Sequence, residues 1–138
     1  MVYTGNISLE ARGFCDVIDV TADAASAVDA SGVREGIAVV FTRGSTSSVT
    51  TIEYEPGAVA DLKRALDQIV PEDAEYRHNQ RWGDGNGFSH VRSALMKPSI
   101  SIPVIEGRLA LGTWQQIVFL DFDNRQRSRE LIVQVMGE

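Results

Sequence analysis

Little in this chain of 138 residues suits it to cross-linking, to spanning a bilayer or to binding polyanions. It has a single cysteine, Cys15, so no intrachain disulfide can form. Cys15 lies in a mixed apolar stretch with no evident activating group, which fits a small buried residue better than a nucleophile. No window approaches the ~20 apolar residues needed to cross a bilayer. The N-terminal MVYTGNISLEARGF lacks a basic segment followed by an apolar one. Cytoplasmic residence is therefore expected. A positive balance is missing too: 13 Lys and Arg stand against 19 Asp and Glu, giving a net charge of −6. Phosphate backbones and anionic lipid surfaces bind basic fields, so neither nucleic acid nor membrane is an expected partner. Histidine is scarce, and neither His78 nor His90 sits near a nucleophile in an elbow-type context, so no Ser-His-Asp or Cys-His arrangement is supported. Internal repeats and low-complexity segments are absent as well.

What remains is ordinary globular composition, with 43% hydrophobic and 23% charged residues. A chain of this length buries roughly 70% of the surface that its unfolded form exposes, enough for one domain over residues 1–138 without room for a second.

Strand patterns dominate. Ile7, Leu9 and Ala11 alternate with polar neighbours, the pattern breaks near Arg12-Gly13, and Val17, Ile18 and Val20 resume it, so residues 3–20 read as a hairpin. Gly36 to Phe41 and Ser48 to Glu53 read as neighbouring strands joined through Thr42-Arg43-Gly44-Ser45-Thr46. Further strands are expected at Ser99 to Ile105, Arg108 to Leu111, Gln115 to Phe122 and Arg127 to Met136, with turns at Glu106-Gly107 and around Asn124. A short helix is expected over 23–31, with Thr21 as its N-cap and Gly32 as its stop. A longer one opens at Pro56 and carries Val59, Leu62, Leu66 and Ile69 on one face, ending at Pro71. Residues 71–87, PEDAEYRHNQRWGDGNG, read as a long ordered loop in which Tyr76 and Trp82 pack. Beyond it Ser89 to Met96 forms one or two helical turns with Val91 and Leu95 inward.

The chemistry-bearing residues cluster around that loop and the last strand. His78 and His90 flank Gly83-Asp84-Gly85-Asn86-Gly87, so a folded loop would bring two imidazoles and the Asp84 carboxylate together. Imidazole and carboxylate suit zinc or a related divalent ion, but the spacing is not a zinc signature. The alternative is a surface His78 and a His90 that packs a helix start. Glycines around Asp84 and Asn86 free amides for an anionic group, or simply make a tight turn. Arg125, Arg127 and Arg129 share one strand parity with Leu131, Val133 and Val135. That face would carry guanidinium forks at a pocket mouth, or pair them with Asp121, Asp123 or Glu130. Glu53 and Glu55 straddle Tyr54 before the longer helix. Either could ligate metal or move a proton, and Glu55 is the better placed to serve the helix N-terminus. Trp82 and Trp114 could stack on a heterocycle, with core packing the preferred role for Trp114.

From Tyr76 onward, YRHNQRWGDGNGFSHVRSALMKPSISIPVIEGRLALGTWQQIVFLDFD and then RSRELIVQVMGE resemble the YjbQ family, known as secondary thiamine-phosphate synthases. Leu111-Gly112-Thr113-Trp114-Gln115 with Ile117, the His90 helix, the Arg127-x-Arg129 pair and the terminal Val133-Gln134-Val135-Met136-Gly137-Glu138 carry the likeness most specifically. The resemblance implies an α+β, β-rich fold: a YjbQ-like antiparallel β-sandwich with two or three helices, assembled as a homotrimer with sites near the subunit boundaries. It also implies an activity, the joining of a hydroxymethylpyrimidine pyrophosphate to a thiazole phosphate. Many members carry a histidine where this chain has Gly44, so a three-histidine metal site is not expected within one subunit. Metal at His78 and His90, zinc or magnesium, would need Asp84, Glu53, water or a neighbouring subunit.

On that reading Arg127 and Arg129 stabilise a departing pyrophosphate, Trp82 holds the pyrimidine, and Ser45, Thr46 and Asn86 contact the ligand, while Glu53 and Asp84 are the catalytic carboxylates. Two alternatives are metal-assisted hydrolysis of a small phosphorylated metabolite, and a non-catalytic trimer that binds a small anionic ligand or a protein partner.

Overall fold

The computed structural model describes residues 1–138, and its architecture follows from how β-branched runs pair. In chain order the elements are β1 (Val2–Ala11), β2 (Asp16–Asp19), α1 (Thr21–Ser31), β3 (Gly36–Thr42), β4 (Ser47–Ile52), α2 (Pro56–Ile69), α3 (Arg77–Trp82), α4 (Gly87–Met96), β5 (Ser99–Ile105), β6 (Arg108–Leu109), β7 (Gln116–Asp121) and β8 (Arg127–Gly137). The strands form a five-stranded sheet, ordered β1-β8-β3-β5-β6, and a three-stranded sheet, ordered β2-β7-β4. Every pairing is antiparallel. The expected strand-rich α+β fold is observed, with four helices because the long loop contains the six-residue α3.

Strand alternation explains the layering. On β7, Ile117 and Phe119 enter a cluster with Val49, Val40, Leu131, Val133 and Val135, which fills the space between the two sheets. Val118, Leu120 and Phe122 point the other way, joining Val17 and Leu66 of α2 with Val59 and Leu62 packed against them. The middle strand of the smaller sheet is thus buried on both faces, which is why it reads as an unbroken apolar run. Burying one such side chain is worth roughly 1.5–3 kcal/mol. α1 packs Ala24 and Val28 into the inter-sheet cluster. No helix of the chain is long and apolar enough to cross a membrane.

Two pairings differ from the sequence reading. β1 and β2 are not a hairpin, because β1 pairs with β8 and β2 with β7. Gly13, Phe14 and Cys15 take successive left-handed conformations (φ 81, 51 and 64°) and turn the chain from one sheet into the other. Gly13 is required there, since a Cβ would collide with the carbonyl oxygen of Asp123. β3 and β4 likewise lie in different sheets, each hydrogen-bonded to other strands. Alternation fixes which side chains share a face but not which strand lies alongside.

The helices show the same mix. Pro56 opens α2, and the carboxylate of Glu55 accepts from the amides of Gly57 and Ala58, the helix role read for it in the sequence. Ile69, expected inward, is exposed. Gly32 ends α1 at φ 68°, whereas Thr21 is its first residue and not its N-cap. α4 turns the face opposite to that expected: Phe88, Ser89, Arg92 and Ser93 are buried, while Val91 and Leu95 are exposed. Hydrogen bonds decided this: Ser93 Oγ donates to Ser47 O at 2.6 Å, and Arg92 donates to Val70 O and to Asp67. Trp114 is 72% exposed, not in the core. Its loop is held by polar contacts, with Gln115 Nε2 donating to Thr51 Oγ1 at 3.2 Å, and the apolar slots begin at Ile117.

Candidate functional site

The mid-chain segment folds by turn chemistry. α3 starts after an extended Tyr76 and stops at Gly83, whose left-handed φ of 64° lets its N–H reach Asn79 O at 2.7 Å. Asp84 Oδ1 then accepts from Asn86 N at 3.1 Å, closing a side-chain-to-backbone turn. Gly87 N donates to Asn79 Oδ1 at 2.8 Å, and the absence of a side chain at Gly87 lets Tyr76 lie against it. These contacts set α3 beside α4, and so His78 beside His90.

The imidazole centroids are 4.4 Å apart with planes tilted by 43°. His78 Nδ1 lies 3.4 Å from Asp84 Oδ1, longer than a charge-assisted hydrogen bond. That nitrogen is enclosed and has no hydrogen-bond partner. Buried nitrogen of this kind normally finds a partner, so its isolation marks a place where a proton or ligand contact is missing. Two rings and a carboxylate in this arrangement can take up, hold and pass a proton. Within the chain no group of three or more His, Cys, Asp or Glu side chains is gathered closely enough to hold an ion.

A second polar cluster fills one end of the sandwich. Along β8, Leu131, Val133 and Val135 are fully buried, and the same face then presents Arg129 and Arg127. Arg129 donates through Nε and Nη2 to Asp121 at 2.7 and 3.0 Å, and its Nη2 also donates to Thr46 Oγ1 at 2.8 Å. Arg127 Nε donates to Asp123 Oδ2 at 2.7 Å, and Thr46 Oγ1 donates to the same oxygen at 3.0 Å. Both aspartates are buried. Burial pushes the Asp123 carboxyl up, but hydrogen bonds from Arg127 and Thr46 and the charges of both arginines outweigh it, leaving it below the usual 3.8. Of the partners weighed for these arginines in the sequence, Asp121 and Asp123 are the ones used.

The two clusters are stitched together. Asn86 Oδ1 accepts from Ser89 Oγ at 2.7 Å and from Asn124 N at 3.2 Å, while Asn124 Nδ2 donates to Asp84 O at 2.8 Å. The histidine-bearing segment is therefore tied to the β7–β8 turn, next to Asp123.

Other expected site residues are distributed unevenly. Thr46 is buried inside the arginine network, and Ser45 beside it is exposed. Gly44 lies against the same network, since a Cβ there would come within 3.0 Å of Arg129 Nη1. Asn86 is a structural tie whose oxygen is already doubly engaged. Trp82 is 66% exposed, with the Arg81 guanidinium 5.5 Å from its ring, so it does not pack as expected. Glu53 follows the far end of β4, seven positions from Thr46 and on the order of 20 Å away at the usual strand rise, and does not join the others. Cys15 is buried, and burial pushes its thiol up to about 11, in line with an inert residue. Sequence reasoning undervalued Asp121, Asp123 and Asn124, which resemble turn residues. The available signal was parity: Asp121 and Asp123 continue the inward face of Ile117 and Phe119.

The comparisons fit this geometry. A family model described as UPF0047 protein YjbQ-like matches residues 5–138. A UPF0047 protein of Methanothermobacter thermautotrophicus is 39% identical over 99% of this chain and 94% of its own. One from Synechocystis is 42% identical over 80% of this chain and 76% of its own. Among solved structures, a YbjQ-like protein of unknown function from Sulfolobus solfataricus superposes with a TM-score of 0.95 at 27% identity, covering 100% of this chain and 99% of that one. An uncharacterised YjbQ/UPF0047 protein from Clostridium acetobutylicum gives 0.87 at 34% identity over 96% and 99%. Sequence and fold agree over essentially the whole chain, and the protein belongs to the YjbQ-like UPF0047 family.

Proposed function

We propose that this protein acts on a small phosphorylated metabolite, with His78, His90 and Asp84 as its proton-handling group and the arginine end of the sandwich as its phosphate side. The observation that carries this reading is the paired imidazoles with the enclosed, unpartnered His78 Nδ1 facing Asp84. The first reaction to test is the one implied by the family resemblance: coupling of hydroxymethylpyrimidine pyrophosphate to thiazole phosphate, a secondary thiamine-phosphate synthase activity. The roles of the side chains are as follows. The imidazoles and the neighbouring Asp84 carboxylate move a proton at the reacting centre, and the guanidinium groups receive the charge that develops on the leaving phosphate.

The test is incubation of purified protein with both substrates, followed by product separation. Coupled product that falls at least a hundredfold in His78→Ala supports the reading, because positioned acid–base groups contribute about 10²–10⁴. Arg127→Ala should cost at least tenfold, the equivalent of about 1.4 kcal/mol at a charged contact. Free phosphate as the only product would favour a hydrolase. Ligand-induced stabilisation without consumption would favour a binding protein.

Self-association, as the trimer implied by the resemblance, accompanies this proposal. Its support is the outer face of the five-stranded sheet, where β3 and β8 align Ile37 with Met136 and Phe41 with Ile132, and Phe41 and Met136 are 36% and 40% exposed. Light scattering should give three times the 15.1 kDa chain mass, and a monomer at all concentrations would remove the trimer.

A further inference from the structure

We propose that the open edge of β1, with α1 beside it, is a docking groove for an extended, lysine-bearing segment of a partner protein, bound as an added strand. The proposal is independent of the reaction and of the self-association proposed above.

The strand edges of the molecule differ in how they are closed. β1 ends the five-stranded sheet and pairs only with β8. Met1 and Gly137 exchange both of their hydrogen bonds, N to O in each direction at 3.1 Å. Bonded pairs alternate along an antiparallel ladder, so the odd-numbered residues of β1 bond to β8. The amides and carbonyls of Val2, Thr4, Asn6, Ser8 and Glu10 therefore point away from the sheet, and no other backbone group bonds to them. The remaining edges are short or occupied. β6 has two residues and β2 has four. On β4, Ser47 O accepts from Ser93 Oγ, and Val49 N donates to Lys97 O at 3.4 Å. β1 instead runs for ten residues in unbroken register, without the bulge, proline or lysine that commonly closes an edge to added strands.

α1 turns this edge into a groove. Residues of β1 between Tyr3 and Ser8 form one wall, and Asp23, Ser26 and Ala27, on one face of the helix, form the other, around a space of about 300 Å³. The floor is low because Gly5 has no side chain: a Cβ would meet the Tyr3 ring at 3.2 Å and Ala27 Cβ at 3.6 Å. The half-buried Tyr3 ring lies against Gly5 and gives the groove an apolar surface. An open edge flanked by a helix is suited to strand addition, in which the backbone of a peptide bonds to the edge and its alternate side chains enter the space alongside.

Charge selects the occupant. Glu10 on β1 and Asp23 and Asp29 on α1 are the only charged side chains of the two elements, and all three are acidic. Asp23 stands in the wall itself and is exposed. Lysine suits both surfaces, with an apolar stem for the Tyr3 ring and an ammonium for Asp23. A second copy of this chain is the poorer occupant. Antiparallel pairing of β1 with β1 about a two-fold axis would set the two α1 helices on the same side of the joined sheet, acidic face to acidic face.

Fluorescence anisotropy of a blocked peptide as long as β1, alternating threonine and lysine and titrated with the whole chain, tests this. Binding should saturate and be about tenfold tighter than for the same peptide with glutamate in place of lysine. Methylating the backbone amides of the peptide should weaken it by about tenfold. Asn6→Pro removes one outward N–H without touching the β8 ladder, and should weaken binding by about fivefold. Asp23→Lys should weaken the lysine peptide and strengthen the glutamate one. Melting curves identify a variant that fails to fold, and Asp23→Lys, at an exposed position, carries the test if Asn6→Pro does so. Absence of saturable binding, equal affinity for the glutamate or the methylated peptide, or unchanged affinity in Asp23→Lys or in folded Asn6→Pro would overturn the groove. So would self-association that Asn6→Pro abolishes, since a second copy would then be the occupant of the edge.

Discussion

The two halves of β8 face the same inter-sheet space and fill it by opposite means. Leu131, Val133 and Val135 are fully buried against Ile117 and Phe119, where close packing and exclusion of water supply the stability. Two residues towards the N-terminus, at unchanged parity, Arg129 and Arg127 meet Asp121 and Asp123. The first half depends on shape, and any one methylene contributes a modest share. The second depends on matched charge, so either partner alone is worse than neither. A strand can therefore be held by packing along most of its length and by matched charge at its end without changing face.

The sharpest test of the apolar half is Phe119→Ala, expected to cost about 4 kcal/mol in denaturant unfolding, because a fully buried ring leaves a cavity. A loss below about 1 kcal/mol would mean that the sheets are less closely packed than described. Next in size is Arg129→Ala, expected to cost about 3 kcal/mol by stranding the buried Asp121 carboxylate. Replacing both, as Arg129→Met with Asp121→Leu, should regain most of that loss. Failure of the pair to recover would show that the two charges do not act as a unit.

Acid provides a finer test. The native Asp123 carboxyl titrates below the ordinary 3.8, so near that pH the unfolded chain binds more protons than the native one. The stability contributed by Asp123 is fully present above 3.8 and is lost as pH falls through the lower native value. Urea midpoints measured from about pH 5 to about pH 2 should fall less steeply in Asp123→Asn than in the parent. Identical slopes would remove Asp123 from the charged network. The smallest effect is expected at Glu55, whose carboxylate caps α2 in full solvent. Glu55→Ala should lower Tm slightly, and Glu53→Ala, at a residue with no part in either cluster, should leave it unchanged.

Legibility in the sequence followed the same division. Shared parity at Leu131, Val133 and Val135 announced the buried face of β8, and Pro56 with Glu55 announced the best helix. The likeness over the His90 helix and the closing strand pointed to a family that the whole-chain match then established. The inward face of α4 was hidden, because its serines and Arg92 are buried by hydrogen bonds that no hydrophobic pattern encodes. Trp114 and Trp82 misled for the complementary reason: large apolar rings favour burial on average, but these lie on segments anchored by polar contacts.

The amino-acid order by itself determined the strand-rich class, the shared inward face of β8 and the glycine-rich turn between the two histidines, because each depends on local spacing and backbone freedom. Tertiary structure alone decided that β1 and β2 part company, that Asp121 and Asp123 grip the arginines and that Glu53 stands apart. Those outcomes depend on which strands lie side by side and on charge paired across long stretches of chain, and neither is written in any local run of residues.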